Sequence, residues 1–407
     1  MKRKSITKIV LFVVLLFLPV LVLAQQKPSF IIDSLNIIHD KNGSLSNIFE
    51  QLRQQKQDKD KIQVSFLHIG DSHIQAGFFT RIMRTKLQQK FGNAGLGLVV
   101  PLKIAGTNQP RDYRITSDGN WESGRMATRN KGYTFSISGI IVQTKDKNIS
   151  LTVEARNDSI NNIRYPFNKI TVFHDNTPTL TPDDSSIVKG TKELNPYTYS
   201  IFLDKHVSQL NLKQKTNNEH VKSIHAFSLE NGNGGVLYHT VGINGARCRD
   251  FCATPSLIEQ TRQLNPEVII VSLGTNESIE TPCNIKGFLE NLDCLVKELR
   301  KVNPTAAFIL TTPAENFRRH QRARVPNERI IMIHDAIVEY AAVNGYAYWD
   351  LFELTGGKGS SSKWKQNGLL GRDQIHFSIE GYELQGQLFF EAFMKSYHLY
   401  VGEHRLE

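Results

Sequence analysis

Three residue types that together perform nucleophilic catalysis stand at two distant points of the chain. Ser72 lies in "HIGDSHIQAG", residues 68–77, directly after the apolar run "IQVSFL". Asp373 and His376 share the short stretch "GRDQIHFS", residues 371–378. A serine hydroxyl is a weak nucleophile until a base takes its proton. At Asp-x-x-His spacing a single turn brings the carboxylate beside the imidazole. The carboxylate fixes the tautomer and leaves the other ring nitrogen facing a serine. Taken singly, Ser72 reads as a helix N-cap and the Asp-His pair as turn chemistry. Both at strand-end loops, they read as a triad of Ser72, His376 and Asp373.

Acyl transfer also needs donors for a developing oxyanion. Asn276 in "GTNE", residues 274–277, offers a side-chain amide just past the strand-like "EVIIVSL". Gly245 in "GINGAR" can bring its backbone N–H close because it carries no side chain. The Ser72 N–H is the third donor of this set. His73 is a second base in principle, and a structural hydrogen bond inside the turn is the better reading. Glu277 reads as a group that orients neighbouring backbone.

These residues require an open α/β sheet, in which ligands gather at the carboxyl ends of the strands. Residues 62–69 form a strand candidate, and Phe78, Phe79, Ile82, Met83, Leu87 and Phe91 recur at helical spacing from Ser72 onward. Residues 110–230 change style. Short β-prone runs such as "ISLTVEAR" and "TYSIFLD" alternate with Asn, Asp, Gly and Pro turns, which suggests an antiparallel sandwich. Alternation of strand and helix then returns: "VLYHTVGIN", helix 247–264, "EVIIVSLG", helix 283–302, "AAFILTT", helix 327–344, "YAYWDL" and helix 379–398. The expected organisation is a leader over 1–24, an N-terminal helical segment over 25–60, and a first core part over 61–100. A β-sandwich insert over 101–232 and a second core part over 233–407 follow.

The first residues read as a cleaved secretory signal, with basic "MKRKSITK", apolar "IVLFVVLLFLPVLVL" and small Ala24. The mature chain then carries no permanent membrane span and is exported, to the periplasm or beyond. Removing Lys2, Arg3, Lys4 and Lys8 from the formal +10 leaves +6. That balance suits an acidic glycan and is too weak to argue for nucleic acid. "NFRRHQRAR" and "SKWKQNG" supply a basic, aromatic-bearing rim, with Arg318, Arg319 and Trp364 as candidate substrate contacts. Cys248, Cys252, Cys283 and Cys294 allow three full pairings, among which spacing does not choose. Nothing accompanies them at zinc-ligand spacing.

The set "GDSH", Gly245, "GTNE" and "DQIH" resembles the four blocks of the SGNH (GDSL-type) hydrolases. With an insert after the first βα unit it is similar to the peptidoglycan O-acetylesterase branch. The resemblance implies a flavodoxin-like three-layer α/β sandwich with an inserted carbohydrate-binding-module-like β domain. It further implies a serine esterase that removes O-acetyl groups from a glycan, peptidoglycan first, with no metal or cofactor. Polysaccharide O-acetyltransferase, xylan-type acetylesterase and non-catalytic glycan-binding protein are the alternatives. Glu277 departs from the common asparagine block, which has Asp after Asn. Absence of Gly-x-Ser-x-Gly argues against an ordinary α/β-hydrolase lipase.

Overall fold

The computed structural model describes residues 27–58, 62–128, 132–158, 162–175, 179–215 and 220–403. The leader over 1–24 lies outside the described residues. Among those described, no helix is long and apolar enough to cross a membrane.

Five parallel strands form the central sheet: β1 (Gln63–Gly70), β2 (Gly235–Gly242), β3 (Val268–Ser272), β4 (Ala307–Thr311) and β5 (Ala347–Trp349). Their spatial order is 2-1-3-4-5, and Ile38–His39 adds an antiparallel edge beside β5. β1 shows why its apolar run is nearly unbroken. Val64 and Phe66 enter the core on one face, while Leu67 and Ile69 enter the core on the other. The first face is covered by α1 (Ser46–Gln57), α2 (Phe78–Phe91) and α5 (Ile379–Glu403), through Leu52, Leu87 and Phe389. The second is covered by α3 (Ile285–Val302) and α4 (Arg329–Asn344), through Leu295 and Ile337. The three-layer sandwich expected from the strand–helix alternation is therefore present.

Two expected helices are interrupted. The pattern from Ser72 to Phe91 breaks at Gly77, whose φ of 77° ends Ser72–Gln75 before α2 begins. The 247–264 helix divides into Cys248–Cys252 and Pro255–Gln260, followed by a 3₁₀ turn over Thr261–Leu264. Pro255 cannot continue the preceding helix and starts the next one. A disulfide joins Cys252 to Cys294 of α3, while Cys248 and Cys283 are free thiols.

Between α2 and β2 the chain builds two antiparallel sheets. The larger has the order Val188–Asn195, Thr198–Val207, Phe167–Asp175, Lys222–Glu230, Ile140–Thr144 and Glu122–Arg125. Gly95–Val99 also pairs with Lys222–Glu230 in this sheet. The smaller runs Tyr113–Ser117, Asn148–Ala155, Gln209–Lys215 and Thr181–Pro182. Alternation is clear in Asn148–Ala155, where Ile149, Leu151 and Val153 are buried and their neighbours are not. This inserted β domain is fastened to the α/β layers. Its apolar residues form one continuous cluster with the second face of the central sheet. The buried Arg84–Asp112 ion pair and the Arg81–Asp158 pair at 2.8 Å tie it to α2.

Candidate active site

Parallel register brings three strand ends level. Gly70 of β1 pairs with Gly242 of β2 on one side and with Ser272 of β3 on the other. Strand order reverses between β1 and β3, the topological switch point where open α/β sheets bind ligands. Ser72, Gly245 and Asn276 follow these three strands within a few residues each. Gly242 is required by proximity, since a Cβ there would collide with the backbone of Gln75 in the turn that carries Ser72.

Ser72 is the first residue of its short helix, and Asp71 is the cap. The Asp71 carboxylate accepts from the His73 N–H at 2.9 Å. As the first residue of the helix, Ser72 has an N–H with no intrahelical acceptor. The Ser72 hydroxyl lies 2.7 Å from His376 Nε2, and His376 Nδ1 lies 2.6 Å from Asp373 Oδ2. The other Asp373 oxygen accepts from the backbone N–H groups of Ile375 and His376 at 3.0 and 2.9 Å. Burial pulls the Asp373 carboxyl upward, but these hydrogen bonds outweigh it and hold the group at about 2. Asp373 thus stays a carboxylate from neutrality down to that pKa. The loop is closed by Gly371 N–H donating to the His376 carbonyl at 2.7 Å, with Gln374 at a φ of 58°. A non-glycine residue in the left-handed region is held there by its surroundings, a pattern common at functional sites.

Gly245 sits on the loop after β2, and Asn276 on the short helix Thr275–Ser278 after β3. Gly245 has a φ of 80°, a conformation that favours glycine, and open space where a Cβ would point. Asn276 Nδ2 donates to Asp71 Oδ2 at 3.2 Å and to the Ala246 carbonyl at 3.0 Å. Two acceptors on one nitrogen fix which way the amide faces. Glu277 Oε1 accepts from the Cys248 N–H at 2.8 Å, which ties the Gly245 loop to the helix Thr275–Ser278 as its backbone-orienting reading requires. Burial pushes the Asp71 carboxyl up to about 7, against the His73 N–H that favours its charge. Burial also pushes Glu277 up.

His73 makes the expected structural bond, its Nδ1 lying 3.0 Å from the Tyr382 hydroxyl. Its ring centroid is 5.1 Å from that of His376. Burial and the neighbouring His376 hold it down to about 3, so it is neutral at ordinary pH. Among the described residues, no cluster of His, Cys, Asp or Glu side chains is placed to hold a metal ion.

Arg318 and Arg319 lie on the hairpin Phe317–His320 and Ala323–Pro326, half-buried and exposed respectively. The Phe317 N–H donates to the Gln374 carbonyl at 2.9 Å, so the hairpin base abuts the Asp373–His376 loop. Trp364 corrects the expectation of a sugar-stacking ring. It is fully buried, edge-on to Phe377 at 4.8 Å and Phe30 at 5.3 Å. Its helix, Ser360–Gln366, turns the indole inward and leaves Lys363 and Lys365 exposed. Trp364 braces the residue after His376 from behind. Trp364→Ala is expected to cost about 3–5 kcal/mol of stability by urea denaturation, as for other large buried aromatics. Weakened glycan affinity with unchanged stability would restore the stacking role.

Signals for several site residues were absent from the local sequence. Asp71, in "GDSH", carries only the signature of a turn residue. Gln75, Asn244, Thr107 and Asn108 form a hydrogen-bonded cluster beside Gly245 that draws on three separate segments.

Residues 216–384 match the family model described as GDSL-like Lipase/Acylhydrolase. The match takes in Gly245, Asn276, Asp373 and His376 and leaves out Ser72, which the insert separates from them. In fold, matched segment and motifs the α/β core is similar to the SGNH/GDSL-type ester hydrolases. No curated protein matches the sequence. A solved structure described as a peptidoglycan O-acetylesterase in action superposes with a TM-score of 0.70 at 23% identity, over 89% of this chain and 99% of that one. A crystal structure of an acetyl xylan esterase matches 39% of this chain and 81% of its own, at 19% identity and a TM-score of 0.32. A GDSL-like lipase from Bacteroides thetaiotaomicron matches 40% of this chain and 76% of its own, at 19% identity and a TM-score of 0.29.

Proposed function

We propose that this chain is an exported serine esterase that removes O-acetyl groups from a polysaccharide, with peptidoglycan as the substrate. The observation that carries the chemistry is the unbroken hydrogen-bond chain Ser72–His376–Asp373, at 2.7 and 2.6 Å. Ser72 Oγ attacks the acetyl carbonyl carbon as His376 Nε2 takes its proton. Asp373, ionised, holds the imidazole and stabilises its protonated form. The carbonyl oxygen becomes an oxyanion, met by the Ser72 N–H, the Gly245 N–H and one hydrogen of the Asn276 amide. That hydrogen leaves Ala246 or Asp71 to do so. His376 then returns the proton to the leaving sugar oxygen. Water, deprotonated by His376, attacks the acetyl-enzyme and releases acetate and free Ser72.

The peptidoglycan assignment is supported by a likeness that extends through the inserted domain to nearly the full length of a structure described as a peptidoglycan O-acetylesterase. It is supported too by the basic hairpin against the Asp373–His376 loop. None of Arg318, Arg319, Arg322 and Arg324 forms an ion pair with a described carboxylate, which leaves them free for acidic groups of a glycan. Export rests on the leader. The test is acetate release from O-acetylated peptidoglycan beside acetylated xylan, each at matched acetyl concentration. Preferred release from peptidoglycan is expected. Equal or preferred release from xylan would overturn the substrate assignment, and none from either would overturn the esterase.

A further inference from the structure

Gly245 has nothing to brace it by packing, since it lacks a side chain and faces open space. Its position is set by its neighbours. On one side Asn276 holds the Ala246 carbonyl and Glu277 holds the Cys248 N–H. On the other side the Asn244 N–H donates to Gln75 Oε1 at 2.8 Å. Gln75 is buried, three residues past Ser72 in the nucleophile turn. What holds Gln75 comes from elsewhere. Its Nε2 donates to Asn108 Oδ1 at 2.8 Å, to the Asn108 carbonyl at 3.0 Å and to Thr107 Oγ1 at 3.1 Å. Asn244 Nδ2 donates to the same Asn108 Oδ1 at 2.7 Å. One acceptor oxygen therefore clamps a donor from the nucleophile turn and a donor from the glycine loop.

Asn108 belongs to the segment between Gly95–Val99 and Tyr113–Ser117, two strands of the β sheets outside the central one. That segment is itself anchored. The Thr107 N–H donates to the Leu102 carbonyl at 3.0 Å, and Gln109 Nε2 donates to the Tyr113 carbonyl at 2.7 Å. Pro110 packs so closely over Gly77, at the end of the nucleophile turn, that a Cβ there would come within 2.7 Å of it.

We infer that the inserted domain is part of the chemical site: Asn108, acting through Gln75 and Asn244, is a positioning residue that sets where the Gly245 N–H points. The inference rests on the reading of Gly245 as an oxyanion donor. Its consequence is that the insert governs turnover of every acetyl ester, including one too small to touch a glycan-binding surface. Oxyanion donors act on the transition state far more than on the bound substrate, so a misplaced donor lowers kcat and leaves KM nearly unchanged.

The experiment compares Asn108→Ala and Asn108→Asp with the unaltered full chain on p-nitrophenyl acetate, with Ser72→Ala as reference. Asn108 is exposed, and each fold is checked by its thermal midpoint. Asn108→Ala is expected to lower kcat about tenfold at constant KM, within the range that a misplacement of order 1 Å produces. All three side-chain hydrogen bonds to Asn108, the third from Thr107 Oγ1 at 3.3 Å, end on Oδ1. Aspartate keeps that acceptor, so Asn108→Asp is expected within about threefold of the unaltered enzyme. An unchanged kcat in Asn108→Ala, beside an inactive Ser72→Ala, overturns the inference and leaves the serine mechanism standing. So does an Asn108→Asp protein as slow as Asn108→Ala. Turnover retained by Ser72→Ala overturns the mechanism itself.

Discussion

Ser72→Ala is expected to lower turnover of a small acetyl ester by roughly three to six powers of ten, because a serine triad works as a unit. The substitution removes the atom that forms the acetyl-enzyme, and no other hydroxyl or thiol among the described residues hydrogen-bonds His376. His73 is the nearest alternative by position, but it is neutral, shielded and committed to Tyr382. The fold is expected to survive. Ser72 is only half-buried, and the helix cap is Asp71. Loss of one hydrogen bond to an imidazole costs about 1 kcal/mol, small beside the stability of a domain. His376→Ala should fall nearly as far, and the double variant no further than either single one. The measurement is initial rates on p-nitrophenyl acetate with a thermal midpoint for each protein. A Ser72→Ala protein that keeps a tenth of its turnover would require another nucleophile.

The parts of this molecule that sequence reveals are those carried by short contiguous patterns. Each of β1 to β5 is an apolar run, β2 directly after the insert and the others within the strand–helix alternation, because a parallel strand is buried on both faces and needs no alternation. The insert is legible for the opposite reason. The strands of its smaller sheet bury one face, so Ile149, Leu151 and Val153 alternate with polar neighbours, as do Leu210 and Leu212. The Ser72–His376–Asp373 hydrogen-bond chain is legible because "GDSH" and "DQIH" each hold their members within one turn, and a turn is a local object. Where conformation depends on a single residue, periodicity misleads. The apolar repeat runs through Gly77 although the backbone there turns left-handed. It likewise runs across Pro255.

Trp364 failed for a related cause. Lysines on either side look like a solvated surface, but a helix as short as Ser360–Gln366 can bury one large ring and expose both neighbours. The Cys252–Cys294 pairing depends on how Cys248–Cys252 packs on α3, a tertiary fact with no local signature. The Gln75–Asn108–Asn244 cluster is the extreme case. Its members come from the Ser72 turn, the insert and the loop after β2. Amides of this kind are ordinary loop residues until the fold brings them together.

Asn276→Ala is the second large effect. Removing one oxyanion donor typically lowers kcat by about a hundredfold to a thousandfold. Asn276 has a second duty that pushes the expected loss toward the upper end. Its amide bridges Asp71, which caps the nucleophile turn, and the Ala246 carbonyl beside Gly245. Alanine therefore removes one donor and loosens the loop that carries another. KM should change little, because the amide meets charge that develops only as the carbonyl becomes tetrahedral. Asn276→Asp separates the two duties from simple loss of size. It keeps the shape but removes both N–H groups and sets a second carboxyl against Asp71, itself already pushed up to about 7 by burial. Asn276→Asp is therefore expected to be at least as slow as Asn276→Ala. At pH above that value both carboxyls would ionise at close range, so its deficit should widen as pH rises and narrow as pH falls. Rates for both variants across this range, with midpoints at each pH, test the argument. An Asn276→Ala protein with unchanged kcat and a raised KM would move Asn276 from the oxyanion site to ground-state binding of the glycan.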